Sequence, residues 1–229
     1  MSLTLLSRAD AVLREGSAAE PDAPPTAVVS WRSRLAILIA FGMVYGAVMG
    51  AYGDSLGDRP LQMLYSALKV PVLLTVSFAI SLPTFFVFNT LFGLRDDFPR
   101  SVAALSATQA GLTVILSSLA PVTAFAYVSG IGYRPAILLN GLMFATASFG
   151  AQAILRRSYR DLIARNPVHA TMLRAWLVVY AFVGIQMGWI LRPFIGDPTR
   201  PTQFFREEGL SNAYVVVIAM IWEVLFGAR

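Results

Sequence analysis

Residues 35–52 read LAILIAFGMVYGAVMGAY, without one charged side chain. A helix rising about 1.5 Å per residue over that length nearly matches a hydrocarbon core about 30 Å thick. The pattern recurs at 70–92, 101–128, 135–155 and 173–191, with a shorter sixth segment at 213–227. No residue at the middle of any of these segments is charged. The reading that follows is all-α: a polytopic transmembrane bundle of about six spans, five long and one short and C-terminal.

Composition agrees. Of 229 residues, 56% are hydrophobic, more than a soluble fold of this size can hide. The chain divides into an N-terminal segment, 1–30, and a transmembrane domain, 31–229. In the first segment Leu5, Leu6, Ala9, Val12 and Leu13 follow helical spacing, predicting a short amphipathic helix on the membrane surface. Pro21, Pro24 and Pro25 then mark a linker. The first residues lack the basic start and unbroken apolar run of a cleavable signal, so the first span is expected to direct insertion.

Net charge is +5, and every basic residue except Lys69 is arginine. These side chains cluster in short loops beside the spans, which points to anionic lipid and topology and away from nucleic acid. With the N-terminus inside, Arg8, Arg14, Arg32, Arg34, Arg95, Arg100, Arg156, Arg157, Arg160, Arg165, Arg174 and Arg229 are cytoplasmic. Arg59, Lys69, Arg134, Arg192, Arg200 and Arg206 are then outside, half as many. The expected location is a bacterial inner membrane with a cytoplasmic N-terminus. In this scheme 53–69 is an outer loop with a short interfacial face, Pro71 opens the second span, and Pro83 and Pro121 kink theirs.

The chemistry-bearing residues are few. There is no cysteine, which excludes thiolate metal sites and disulfides. No nucleotide-binding loop or H-E-x-x-H pattern occurs, and the single histidine, His169, reads as an interfacial polar neighbour. Neither a catalytic nor a metal-binding residue is assigned, and any cofactor, lipid or pigment stays unknown. Glu223 is the candidate functional acid, set near the edge of the sixth segment. Gly42, Gly46 and Gly50 form a small-residue stripe for close helix packing, either within the chain or between copies. Ser77, Ser81, Gln109, Thr113 and Asn140 are the candidate polar path for a small solute, with interhelical hydrogen bonding as the plainer role. The loop 192–206 joins prolines to Arg192, Phe194, Phe204, Phe205 and Arg206. These are anchor types at protein interfaces, so the loop is expected to dock a partner or dip into headgroups.

The runs Leu61–Pro71, Ser81–Asn89 and Gln186–Gly196 resemble a family of uncharacterised bacterial inner-membrane proteins. In plan they are similar to Yip1-type proteins, with about five spans. The resemblance covers roughly residues 55–228 and implies no activity or site residue. The expected function is that of a non-catalytic membrane subunit or scaffold, with lipids and other membrane subunits or further copies of the chain as partners. A small-solute channel or transporter is the alternative, and a membrane enzyme comes third.

Overall fold

The computed structural model describes residues 3–14, 29–53, 59–197 and 199–205. The expected sixth span, Glu223, Arg206 and most of the proline linker lie outside them. Among the described residues every element is helical: α1 (Leu3–Arg14), α2 (Trp31–Gly50), α3 (Pro60–Leu91), a short 3₁₀ turn (Arg95–Asp97), α4 (Phe98–Ser118), α5 (Ala120–Val128), α6 (Tyr133–Arg165) and α7 (Val168–Ile190). Five helical stretches are long and apolar enough to cross a membrane: α2, α3, α4 with α5, α6 and α7.

Local chemistry explains the boundaries. Ser30 caps α2, its hydroxyl accepting from the Ser33 amide at 3.3 Å. Pro60 opens α3, where a missing N–H costs nothing. Gly93 and Gly130 take φ of 73° and 76° just past α3 and α5, a left-handed conformation that needs no Cβ. Pro121 lacks an amide hydrogen and its ring collides with the preceding turn, so the third span breaks at Leu119 into α4 and α5.

Three expectations are corrected. Residues 60–69 are not a loop, because α3 starts at Pro60 and runs unbroken for 32 residues through both Pro71 and Pro83. At about 1.5 Å per residue it is about 48 Å long, well over the core thickness. Lys69 is therefore the tenth residue of a helix, and it is fully buried. Nor does α1 lie apart on a membrane surface. Ala9 and Val12 are buried against Ile37 and Phe41 of α2 and Ala110 of α4, while Arg14 and Asp10 pair at 3.0 Å on its exposed side. The amphipathic pattern was right, but its apolar face finds protein. Arg34 also turns inward: its guanidinium donates to Ala103 O at 2.8 Å and Ser106 Oγ at 3.0 Å of α4.

The core forms where α2 crosses α3. A Cβ on Gly46 would collide with the Ser66 carbonyl and the Ala67 backbone of α3, and one on Gly50 would lie 2.6 Å from Gln62 O. Gly42 faces Pro71 at 3.4 Å. The stripe is thus taken up inside the chain, and its face is closed to a second copy. Around it Leu38, Tyr45, Met49, Val70, Leu74, Leu112, Leu116 and Met143 make the main apolar cluster. A second cluster, with Phe85, Leu155, Tyr159, Met172 and Trp176, joins α3, α6 and α7 at the other end.

Because the atoms facing Gly46 are backbone, they cannot swing aside. Gly46→Val is expected to lower stability by about 1–3 kcal/mol or more. It should appear as a lower thermal unfolding midpoint in mild detergent, while Gly184→Val, on an open face of α7, leaves that midpoint unchanged.

Candidate functional site

The most organised polar region is the segment that follows α7. It does not project as a docking loop. It folds back on the first half of α3, where Arg59, Gln62, Ser66 and Lys69 recur every three or four residues on one side of the chain. Arg59 donates to Asp197 O at 2.8 Å, Arg200 O at 2.9 Å and Thr202 Oγ1 at 2.9 Å. Gln62 Nε2 donates to Phe194 O at 3.1 Å, and Ser66 Oγ donates to the same oxygen. Lys69 Nζ donates to Pro193 O at 2.7 Å and sits 4.8 Å from the Phe204 ring centre.

Irregular backbone away from water needs a partner for each carbonyl. This row of donors supplies them at Pro193, Phe194, Asp197 and Arg200. Lys69 gains in turn a carbonyl dipole and an aromatic face for a charge that burial would otherwise penalise. Gly196 fits because a Cβ there would meet Arg59 Nη1 at 2.7 Å and Gln62 Cγ at 2.8 Å.

The residues expected to dock a partner are placed accordingly. Arg192 lies with its guanidinium 3.4 Å from the centre of the Trp189 ring. Phe194 packs on the main core. Phe204 meets Tyr65 edge-on at 5.1 Å and Phe205 at 4.8 Å, and of the three phenylalanines Phe205 is the exposed one.

The candidate polar path is dispersed. Ser81 donates to Ser77 O at 2.8 Å and Thr113 to Ala110 O at 2.8 Å, both within their own helices. Gln109 Oε1 accepts from the Tyr180 hydroxyl at 3.0 Å, tying α4 to α7. Asn140 centres a relay: its Oδ1 accepts from Tyr45 at 2.9 Å, and its Nδ2 donates to Tyr127 Oη at 2.7 Å and Ala136 O at 2.8 Å. Tyr127 Oη donates to Met49 O at 3.2 Å, so α2, α5 and α6 are joined by one hydrogen-bonded network.

His169 is fully buried at the start of α7, with Nε2 3.2 Å from Asp97 Oδ2. Asp97 also meets Arg100 at 3.3 Å. The trio pins α7 to the 3₁₀ turn. Among the described residues no three His, Cys, Asp or Glu side chains gather as a metal site would need.

A cavity of about 530 Å³ lies behind the loop. Met49 of α2, Leu73 of α3, Tyr133, Ile137, Asn140, Gly141 and Phe144 of α6, Trp189 of α7 and the loop residues Arg192–Ile195 line it. On α7 a second glycine pair, Gly184 and Gly188, has open space among the described residues: a Cβ on either meets none of them within 4 Å. The donors on α3 and this pair both escaped the sequence reading. The spacing 59, 62, 66, 69 and the stretch Gly184-Ile185-Gln186-Met187-Gly188 were the signals that reveal them.

Comparison with protein-family models, curated proteins and solved structures finds no match.

If the α3 donors hold the loop in place, removing them frees it. The native chain has no cysteine, so Ile195→Cys, a position buried in the fold, gives a single thiol reporter. Its maleimide labelling should be slow in an otherwise native chain and accelerate at least tenfold with Arg59→Ala, which removes the guanidinium that bonds Asp197 O, Arg200 O and Thr202 Oγ1 together. That factor matches the roughly 1–3 kcal/mol cost of an unsatisfied buried polar group.

Proposed function

We propose that this protein is a non-catalytic membrane subunit or scaffold that works by associating with other helices in the bilayer. The observation that carries the reading is the contrast between its two glycine stripes. Gly42, Gly46 and Gly50 are consumed by α3, whereas Gly184 and Gly188 on α7 face open space. In lipid, where apolar side chains gain little by leaving the solvent, small residues four apart let a second helix approach closely enough for dispersion to act. The surroundings agree: Val178 and Ile185 of α7 are 70% and 56% exposed. The partner is another membrane subunit or a second copy of the chain.

The channel or transporter reading has less support. Its lining would need polar groups turned toward a common lumen, and Ser81, Thr113, Gln109 and Asn140 each spend their hydrogen bonds on neighbouring protein groups.

Leucine at both Gly184 and Gly188 is expected to leave the fold intact, because no described residue lies within 4 Å of either Cβ position. It should shift the protein, extracted in mild detergent, to a smaller assembly on sizing and strip co-purifying membrane proteins. An unchanged elution volume with unchanged partners would sink the association reading.

The same proposal places the chain in a bacterial inner membrane with its N-terminus in the cytoplasm. Arg156, Arg157, Arg160 and Arg165 then lie inside and the 192–205 loop outside. In intact spheroplasts, a membrane-impermeant maleimide should label Thr199→Cys and spare Arg160→Cys. The reverse pattern inverts the topology.

A further inference from the structure

The two ends of the bundle treat their cations differently. At the loop end Arg59 and Lys69 spend their charge on the carbonyls of Asp197, Arg200 and Pro193, and Arg200 sits 3.7 Å from Asp197. At the opposite end α3 passes into α4 and α6 into α7, and the Asp97–His169 contact at 3.2 Å holds these two connections together. There the last stretch of α6, 156–165, carries four arginines and one acid, Asp161. Arg156, Arg157, Arg160 and Arg165 are all exposed, as is Arg174 of α7. Among the described residues none of these five is ion-paired, and neither is Asp161.

Their position on the helix tells what they face. Leu138, Leu142 and Phe149 of α6 are 74%, 58% and 79% exposed. They lie four and seven residues apart, close to whole numbers of turns, and so form one line along the helix. Arg156 and Arg160 continue that line after a further seven and four residues. On α7 the exposed Ile185 and Val178 lead to Arg174 by the same two steps. The side of α6 that offers hydrocarbon to the bilayer thus turns cationic without turning away from it.

Depth agrees. Arg134 at the start of α6 and Arg156 are about 33 Å apart along the helix, and a hydrocarbon core is about 30 Å thick. The uncharged stretch between them, 135–155, fills that core. The guanidinium groups of Arg156 and Arg160 then stand at the phosphate layer. A patch built for an acidic protein would point away from the lipid stripe, whereas this one prolongs it. Arginine suits phosphate, because its planar fork holds two oxygens at once.

We propose that the C-terminal turns of α6 bind an anionic phospholipid. Its phosphate is held by Arg156 and Arg160 with Arg157 at the flank, and its acyl chains lie along Phe149 and Leu142. The site is separate from the glycine face of α7, and it does not depend on which side of the membrane this end occupies.

Because the chain has no cysteine, a single reporter can be placed beside the site. Ala153→Cys, at an exposed position one turn before Arg156, carries a fluorophore. Val87→Cys is the reference, exposed toward the same end of α3, where Asp96 and Asp97 balance Arg95 and Arg100. The intact chain is placed in phosphatidylcholine vesicles holding a small share of spin-labelled phosphatidylglycerol or spin-labelled phosphatidylcholine, which quench on contact. At Ala153→Cys the phosphatidylglycerol should reach half-quenching at about one fifth of the phosphatidylcholine content, the scale of one basic residue at an anionic surface. At Val87→Cys the two lipids should quench alike. Arg156→Gln with Arg160→Gln should bring the ratio at Ala153→Cys to about one, and lysine at both positions should keep most of the preference. Equal quenching by the two lipids at Ala153→Cys overturns the proposal. So does a preference of the same size at Val87→Cys, which belongs to the charge of the whole protein, or one that survives the loss of both arginines. Equal quenching together with a co-purified protein lost from the double glutamine variant assigns the arginines to an acidic protein partner instead.

Discussion

The structure rests on one requirement: backbone that leaves a helix inside a low-dielectric bundle must have its carbonyls met by protein donors. The start of the stretch after α7, Pro193–Gly196, half-buried to buried, is such backbone. Arg59, at the start of α3, and Gln62, Ser66 and Lys69 within it meet this stretch, the carbonyls capped by Arg59, Gln62 and Lys69 lying 2.7–3.5 Å from their donors. The cost of burying a lysine is offset by the same contacts. The loop without α3 would have unmet acceptors, and α3 without the loop a buried charge that no longer has Pro193 O. The shape of the cavity follows, because turning the carbonyls toward α3 leaves the opposite side of the loop lined by Pro193, Phe194 and Ile195.

The glycines show how one residue pattern serves two ends. At Gly46 and Gly50 the backbones of α2 and α3 come so close that no side chain fits. At Gly184 and Gly188 the same spacing meets open space. Spacing alone does not separate these cases, because it encodes the ability to approach and not the presence of a neighbour. The neighbour of α2 is set by the short connection to α3, which favours antiparallel packing of consecutive helices.

Much of the fold was legible for a physical reason. Hydrocarbon cores demand long uncharged segments, and five of those foreseen coincide with helices. Pro121 was readable as a kink, and the helix parts there at Leu119, whereas Pro83, with the same expectation, lies within an unbroken α3. The errors came where polar residues have distant partners. Lys69 looked like the edge of a span because charge normally marks water, and its partners are Pro193 and Phe204, far along the chain. Arg34 looked interfacial for the same reason, although Ala103 and Ser106 bury it. Of the expected site residues, Asn140 is the one that reaches the cavity wall, and Phe194 and Arg192 reach it as lining and not as docking anchors. Composition flagged the 192–206 stretch as unusual, but which side of it faces protein depends on a donor row that sits more than a hundred residues earlier.

That separation has a kinetic meaning. Lys69 meets Pro193 across 124 residues and Arg59 meets Thr202 across 143. At roughly 5–20 residues per second, a ribosome needs roughly 6–30 seconds to supply the missing partners. Throughout that interval Lys69 in α3 and Arg59 just before it are cations that hydrocarbon does not welcome. The helix must wait in a hydrated setting, at the insertion machinery or the headgroup layer, and settle to its final depth only when the last loop emerges. The order of assembly is thereby written into the distance between a lysine and a proline.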